Sequence, residues 1–503
     1  MAEKQVRPGR RRTATGVLAA VVLATTLGQG MAGAQDAPPA AAPAADYEVT
    51  IRRDSLGVPH VTGKDFGSVA YGIGYAFAQD NICTLMDYTA TVSAERSKWF
   101  GPDGTWEFGG NGTVNRNLDS DFFYAAQHQS GQLEALLAQD APHGPEAEVR
   151  LGVTGYAQGI NRYLADIGGA DGISDPRCKG APWVRPLTDI DVYRRFFQLA
   201  TMASSGVAIT GIAGAQPPTG GVIPVIPGVT DNLAAQVAAD PVEAATLATQ
   251  LDAVSQLPGR LSTALGIGSN AYGLGGEATD NGMGMVLGNP HFPWQGGERL
   301  YQMHLTIPGQ VNVSGAGLYG VPLVLIGHTD GVAWSHTVST AYRFTPFELT
   351  LVPGDPTSYL VDGQAEKMTK QDVRVEVRNP DGSTGTATRT LWTTRYGPML
   401  NSLLGLPLFP WTPVKAYALA DANVQLRYLN QFFKWNHAQS TEELFDINSE
   451  LLGIPWVNTI AADRAGNALY SDVSVVPHVT NEKATTCGGL LGLVTFTALG
   501  LPT

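Results

Sequence analysis

Residues 268–276 have the sequence GSNAYGLGG, and this segment decides the fold that we expect for the chain. A serine directly after a glycine suits a nucleophile that becomes a new amino terminus once the Gly268–Ser269 bond is cut. The free α-amine of such a serine titrates near pH ~8, so part of it can take the proton of the serine's own hydroxyl at neutral pH. Gly-Ser-Asn is also a common turn sequence, and an ordinary turn before a strand is the alternative interpretation.

Longer segments on both sides of Ser269 point to one protein family. They are YEVTIRRDSLGVPHVTGKDFGSVAYGIGYAFAQDNICTL at 47–85, VLGNPHFPWQGGERLYQMHLTIPG at 286–309, VSGAGLYGVPLVLIGHTDGVAWSHTVST at 313–340 and NTIAADRAGNALYSDVSVVP at 458–477. In these segments the chain resembles the penicillin acylase family of N-terminal-nucleophile hydrolases. The resemblance is greatest to the branch that contains aculeacin A acylase and the acyl-homoserine lactone acylases, and it covers most of residues 47–480.

The pattern of strands and helices predicts an α+β fold, because the two kinds of element occur without regular βα alternation. The family resemblance implies a four-layer αββα sandwich that is incomplete at its C-terminal end. It also implies a division of the chain, which we place as follows: signal peptide 1–34, Pro/Ala leader 35–45, a mainly helical α-subunit-like region 46–245, a spacer 246–268 with an undefined upstream end, and a β-subunit-like region 269–503.

The first 34 residues have the three parts of an export signal. Five basic residues precede an apolar run at 16–27, and Ala32-Gly33-Ala34 matches a cleavage site. Removing this segment takes away five basic residues and one acidic residue, so the formal net charge changes from −13 to −17. We therefore expect a secreted or periplasmic protein that has neither nucleic acid nor membrane as a partner. A Cys83–Cys178 disulfide suits that compartment, and the odd count leaves Cys487 over.

Several individual elements can also be predicted. Alternating apolar residues predict a strand over 300–307, with His304 on its polar face, and two further strands over 321–327 and 332–338. Helices are expected at 191–204, at 231–265 and after Ser440, which forms a capping box with Glu443. The stretch 211–228 is rich in Pro and Gly and predicts a loop. The GxGxxG pattern at 315–320 precedes no helix, so we interpret it as a tight turn rather than a nucleotide site.

The family resemblance assigns the remaining site residues. His291 falls where the family has a residue that contacts the α-amine of the nucleophile, and Val338 falls where a backbone N–H helps to bind the oxyanion. Phe292, Leu318, Val321 and Trp456 match positions that line the acyl pocket. For each of these residues an ordinary structural or core role is the alternative. A deep apolar pocket would favour long acyl chains, because each buried CH₂ contributes about 0.8 kcal/mol.

The chain also departs from the family pattern in two places. Residues 339–345 lack the acidic residues with which some members bind calcium, so we expect no calcium there, and we expect no other metal or cofactor. The family continues beyond the equivalent of Thr503 and supplies an oxyanion asparagine from that part. Asn458 and Asn467 match other family positions and are not assigned that role. Loss of one such donor costs about 10²–10³ in rate.

The sequence thus predicts a secreted, autoprocessed N-acyl amide hydrolase with Ser269 as nucleophile and its own α-amine as base. The two fragments of the precursor would form a heterodimer. The substrate would be a small N-acylated molecule such as an acyl-homoserine lactone, a lipopeptide or a penicillin, which would link the protein to quorum quenching or antibiotic metabolism. The alternatives are an unprocessed, non-catalytic remnant that only binds acylated ligands, and an unrelated serine hydrolase, which the lack of a G-x-S-x-G motif disfavours.

Overall fold

A computed structural model describes residues 46–109, 111–218, 245–246, 248–250, 252–256 and 268–489. The expected signal peptide 1–34, the leader 35–45, most of the spacer 246–268 and most of the helix predicted over 231–265 lie outside the described residues. Of that helix, the described residues between 245 and 256 are helical. Among the described residues, no helix has the length and apolar character needed to cross a membrane.

Helices dominate the part of the chain before the Gly268–Ser269 bond. They are α1 (Phe66–Val92), α2 (Arg96–Phe100), α3 (Asn117–Ser130), α4 (Gln132–Leu137), α5 (Ala147–Asp166), α6 (Asp189–Ala200) and α7 (Ile209–Ala213), with short 3-10 helices at Gly169–Gly172 and Ser205–Val207. Helix α6 confirms the prediction over 191–204 with shifted ends, because a capping box at Thr188 starts it earlier. The loop predicted from residue 211 begins later, because α7 continues to Ala213.

The two longest helices, α1 and α5, pack through glycines. A Cβ on Gly74 of α1 would lie 2.3 Å from the carbonyl oxygen of Tyr156, and a Cβ on Gly155 of α5 would lie 2.1 Å from that of Gly67. Only glycine permits such a close approach of two backbones. A disulfide between Cys83 and Cys178 also ties α1 to the loop between Gly172 and α6, which confirms that predicted pairing, while Cys487 is free and exposed.

An eight-stranded sheet joins the parts before and after the Gly268–Ser269 bond. Its strands, in spatial order, are β1 (Val49–Arg53), β2 (Pro59–Gly63), β7 (Leu300–Ile307), β8 (Val311–Leu318), β9 (Ile326–His328), β10 (Val332–Val338), β18 (Val457–Asp463) and β19 (Ala468–Ser471). Strands β2 and β7 are parallel, whereas the other neighbouring pairs are antiparallel. The upstream strands β1 and β2 thus extend a sheet made otherwise of downstream strands.

The other strands form a second large sheet and two ribbons. The antiparallel sheet contains, in chain order, β11 (Phe344–Val352), β12 (Asp355–Val361), β13 (Gln364–Lys367), β14 (Thr369–Arg378), β15 (Thr384–Thr394), β16 (Gly397–Leu400) and β17 (Lys415–Asp421), arranged as β13-β12-β11-β17-β16-β15-β14. The ribbons pair β3 (Thr105–Phe108) with β4 (Thr113–Arg116) and β5 (Gly268–Leu274) with β6 (Met285–His291). A 3-10 turn at Gly276–Ala278 and the helices α8 (Arg427–Trp435), α9 (Thr441–Leu451) and α10 (Asn481–Cys487) complete the described part.

The mixture of helices and sheets confirms the α+β class. The strands over 300–307 and 332–338 are confirmed, and α9 begins after Ser440, whose hydroxyl accepts a hydrogen bond from the Glu443 N–H. The predicted capping box is only half formed, because the Glu443 carboxylate accepts from the N–H of Gln439 instead of Ser440. The αββα layering stays a prediction.

Two local predictions are wrong. The strand expected over 321–327 is reduced to β9, and residues 321–325 form a buried loop with Pro322 near its start. The side-chain amide of Asn436 satisfies the backbone hydrogen-bonding groups of Val324 in that loop. It donates to the Val324 carbonyl (2.8 Å) and accepts from the Val324 N–H (3.1 Å). The glycines at 315–320, interpreted as a tight turn, mostly belong to β8, where a Cβ on Gly317 would lie 2.5 Å from the Leu323 carbonyl oxygen.

Candidate active site

The predicted nucleophile lies at the start of the β5–β6 hairpin. Gly268 pairs with His291 and Ser269 pairs with Pro290. The Ser269 hydroxyl donates a hydrogen bond to the carbonyl oxygen of Gly268, and it accepts one from the backbone N–H of His291 (3.4 Å). A Cβ on Gly268 would lie 3.4 Å from Nδ1 of His291, so the imidazole borders this glycine. The hydroxyl, the carbonyl of the bond to be cut and a histidine thus meet at one point.

The hairpin rests on β10 and β18 of the eight-stranded sheet, and glycines permit the close contact. A Cβ on Gly273 would lie 2.9 Å from the carbonyl oxygen of Ala461, and one on Gly288 would lie 2.6 Å from the Ser335 hydroxyl. The opposite face of the hairpin exposes apolar side chains, which are Tyr272, Leu274, Met285 and Leu287. Within the described residues, the nucleophile strand is therefore held by packing on one face.

Val338 ends β10 and presents a backbone amide that β18 does not use. The Ser339 N–H donates to the Trp456 carbonyl (3.1 Å), and Val338 is opposite Val457 in the antiparallel ladder. Hydrogen-bonded and non-hydrogen-bonded pairs alternate in such a ladder, so the Val338 N–H points away from β18. The side-chain amide of Asn458 donates to the Val338 carbonyl (3.2 Å) and fixes this strand end. The oxyanion role that the family resemblance implies for the Val338 amide stays a prediction.

The four predicted acyl-pocket residues all belong to one hydrophobic core. Leu318, Val321 and Trp456 are buried, and Phe292 packs against the same core at its edge. The Phe292 and Trp456 rings are 6.3 Å apart between centroids, and the Trp456 indole N–H donates to the carbonyl of Leu199 on α6 (2.9 Å). Phe292 directly follows His291, so an apolar surface begins beside the nucleophile hairpin. Their role in an acyl pocket stays a prediction.

A buried ion pair supports the segment that follows His291, and the sequence analysis missed it. Arg195 of α6 lies 3.3 Å from the Glu298 carboxylate, and the two side chains are 2% and 5% exposed. The Arg195 guanidinium also donates to the carbonyls of Gly297 and Tyr319 and stacks over the Tyr88 ring. Burial raises the pKa of Glu298, while Arg195 opposes that shift. No spacing signal could have revealed the pair, since its members are 103 residues apart.

The asparagines that the sequence left without an oxyanion role have structural partners. The Asn458 side chain donates to the Val338 carbonyl at the end of β10. The Asn467 amide donates to the Asp463 carboxylate (3.0 Å) in the β18–β19 turn. In the segment 339–345, a buried Arg343 lies 3.6 Å from Asp472. Among the described residues, no three or more His, Cys, Asp or Glu side chains are grouped to hold a metal ion.

Comparison with known proteins identifies relatives over most of this chain. The penicillin amidase family model matches residues 48–491. Aculeacin-A acylase of Actinoplanes utahensis is 42% identical over 444 residues, which are 88% of this chain and 52% of that protein. Acyl-homoserine lactone acylase PvdQ of Pseudomonas putida is 38% identical over 473 residues, 93% of this chain and 55% of that protein. The chain therefore spans about half the length of the curated relatives that it matches.

A solved structure gives a weaker likeness. Thermostable penicillin G acylase from Alcaligenes faecalis aligns with 42% of this chain and 36% of its own, at 21% sequence identity and a TM-score of 0.36.

Proposed function

Because this chain belongs to the penicillin amidase family, we propose that it is an autoprocessed N-acyl amide hydrolase. The observation that supports this most directly is the contact between the Ser269 hydroxyl and the Gly268 carbonyl, beside His291. The names of the matched relatives, which are an aculeacin-A acylase and acyl-homoserine lactone acylases, describe the same class of reaction.

The first proposed step cuts the chain. The Ser269 hydroxyl oxygen attacks the carbonyl carbon of Gly268, and its proton passes to the departing amide nitrogen, so that an ester replaces the peptide bond. Water then hydrolyses the ester, leaving a carboxylate on Gly268 and a free α-amine on Ser269. Glycine suits the first position because it has no Cβ to crowd the attacking oxygen.

The second proposed step is substrate turnover. The Ser269 α-amine accepts the hydroxyl proton as the oxygen attacks the acyl carbon of the substrate, and the Val338 N–H stabilises the oxyanion. The amine product leaves with a proton, and water hydrolyses the acyl-enzyme to the free acid. Phe292, Leu318, Val321 and Trp456 supply apolar surface for the acyl chain. Since each buried CH₂ contributes about 0.8 kcal/mol, kcat/KM should rise about fourfold per added methylene until the pocket is full.

The two fragments are proposed to remain together as a heterodimer after the cut. Strands β1 and β2 precede the cut and complete the sheet of β7–β10. The Arg195–Glu298 pair and the Trp456–Leu199 hydrogen bond also join upstream to downstream residues. Export is part of the same proposal, and the Cys83–Cys178 disulfide supports it because such bonds persist in oxidising compartments.

The decisive experiment compares the wild type with Ser269→Ala, Ser269→Cys and the control Asn270→Ala, which changes the next, exposed residue of β5. Intact mass and N-terminal sequencing should find a new terminus at Ser269 in the wild type and control, and a single uncut chain for Ser269→Ala. Ser269→Cys, which keeps a nucleophile, should still be cut.

Turnover is then measured as release of fatty acid from N-acyl-homoserine lactones, an acylated cyclic peptide and a penicillin, each at several acyl lengths. An uncut wild-type chain that releases no acid would refute the hydrolase proposal and favour a non-catalytic binder of acylated ligands.

A further inference from the structure

Two histidine side chains meet on neighbouring strands of the eight-stranded sheet. His60 of β2 and His304 of β7 are direct partners in the parallel pairing of these strands. Their Nδ1 atoms are 2.9 Å apart, the ring centroids are 5.0 Å apart and the ring planes are nearly perpendicular, at 83°. The two nitrogens thus converge on one point at the surface of the sheet, three strands from β10 in the sheet order.

The outer nitrogen of each ring lies near an oxygen, which accepts a hydrogen bond from His304 and forms a longer ion-pair contact with His60. His304 Nε2 lies 2.8 Å from Oδ1 of Asn312, whose own NH₂ group donates to the Asp330 carboxylate (3.2 Å). That bond orients the Asn312 amide, so its oxygen faces His304, and His304 Nε2 must donate. His60 Nε2 lies 3.7 Å from Oδ2 of Asp54. The other oxygen of Asp54 already accepts from two backbone N–H groups, those of residues 56 and 58.

This arrangement leaves both Nδ1 atoms as acceptors. A neutral imidazole has one N–H, and the oxygens of Asn312 and Asp54 favour its placement on Nε2 of each ring. The two Nδ1 atoms are 2.9 Å apart, so either a proton or a metal ion can bind between them. Histidines that bind metals typically donate their other N–H to a carboxylate, a carbonyl or a water molecule, as His304 does to Asn312.

We infer that His60 and His304 form a binding site for a late first-row divalent metal ion, with Nδ1 of each ring as ligand. Metal–nitrogen bonds of about 2.0–2.1 Å across this gap give an N–metal–N angle of about 90°. That angle suits the tetragonal geometry of Cu²⁺ or Ni²⁺ better than a tetrahedral ion. Because no third His, Cys, Asp or Glu of the described residues joins them in a metal-binding group, water completes the coordination. Both rings are partly exposed, which permits entry from solvent.

Such an ion would connect the two sides of the Gly268–Ser269 bond. His60 precedes that bond and His304 follows it, and β2–β7 is the strand pair that joins the upstream strands to the rest of the sheet. A metal bound here therefore stabilises the contact between the two parts of the chain, whether or not the bond is cut.

The test uses the full-length, tag-free chain with Ser269→Ala, in which no new amino terminus competes for the metal. Ni²⁺ is titrated by calorimetry, and Cu²⁺ is added for electron paramagnetic resonance. The variants are His60→Asn, His304→Asn and Asn312→Leu, the last of which removes only the partner of His304 Nε2. The matched control is His143→Asn, which removes an exposed histidine from the loop before α5.

We expect one Ni²⁺ per chain with two imidazole nitrogens in the copper spectrum. Affinity should fall at least tenfold in His60→Asn and His304→Asn, fall about 10–100-fold in Asn312→Leu, and stay unchanged in the control. Equal Ni²⁺ affinity and an unchanged copper spectrum in His60→Asn, His304→Asn and His143→Asn would overturn the site. So would the absence of binding to the parent chain. Neither outcome depends on whether the protein hydrolyses amides.

Discussion

Replacing Arg195 with methionine should destabilise the protein strongly and in a pH-dependent way. The change removes the charge that faces Glu298 and the donors to the Gly297 and Tyr319 carbonyls, all in a buried environment. Glu298 must then stay charged with backbone N–H groups as its remaining partners, or take up a proton. Protonation of a carboxyl group whose unfolded pKa is about 4.3 costs roughly 3.7 kcal/mol at pH 7. With the unsatisfied carbonyls, the expected loss is about 4–6 kcal/mol at that pH.

The pH dependence distinguishes this cause from simple loss of packing. In Arg195→Met, the pKa of Glu298 should be raised further above its unfolded value, so the contribution of the protonated form is retained at low pH and lost as pH rises. The loss relative to the parent should therefore shrink between pH 7 and pH 5, by at most about 2.7 kcal/mol for a single proton. The measurement is guanidinium unfolding of the uncut Ser269→Ala chain, followed by tryptophan fluorescence. Glu298→Gln, which leaves no carboxyl group at this position, should lack this pH slope.

A double variant tests the same reasoning from the other side. Arg195→Met with Glu298→Leu replaces the pair by apolar side chains and should recover most of the lost stability, because a buried ion pair contributes little net stability compared with well-packed apolar residues. A loss below about 1 kcal/mol in Arg195→Met, or an equal loss at pH 5 and pH 7, would show that Glu298 does not depend on Arg195.

Three further outcomes are expected. Burial lowers the pKa of His336 to about 4. The neutral histidine therefore contributes to the free energy of unfolding above about pH 6.5, and this contribution is lost as the pH falls towards 4. His336→Phe should reduce the acid-induced loss of unfolding free energy by about 3 kcal/mol, as measured in unfolding curves at several pH values. Replacing Cys83 and Cys178 by alanine should lower the unfolding free energy by about 2–5 kcal/mol in denaturant titrations. Gly273→Ala places a Cβ 2.9 Å from the Ala461 carbonyl oxygen and should slow chain cleavage, measured by mass, whereas an unchanged rate would show that the hairpin tolerates displacement.

The sequence predicts best where a local pattern and the tertiary environment agree. Strand β10 has the bounds predicted for 332–338, because most of its residues are apolar, β-branched or aromatic and it is followed by turn residues. The run at 321–327 has the same apolar character, yet residues 321–325 form a loop whose backbone bonds to the Asn436 amide. Asn436 lies 112 residues from Val324, so a prediction from the local sequence around Val324 does not include this hydrogen-bond partner.

The same distinction applies to the candidate site. Ser269, His291 and Phe292 lie within 24 residues, in two short segments whose resemblance to the family predicts them together. The Arg195–Glu298 ion pair cannot be predicted from a local motif, because it depends on the way α6 packs against the segment after His291.

A related argument applies to His60 and His304, which no ligand spacing indicates because 244 residues separate them. The parallel pairing of β2 with β7 places the two rings side by side. The Nε2 atom of His304 then lies near Asn312, and that of His60 lies near Asp54. The contacts that join the two sides of the Gly268–Ser269 bond are therefore long-range and partly ionic. Cutting that bond removes one covalent link between parts that already share a sheet, a buried ion pair and a core. For this reason the hairpin that bears Ser269 can gain a new amino terminus while its supporting contacts stay in place.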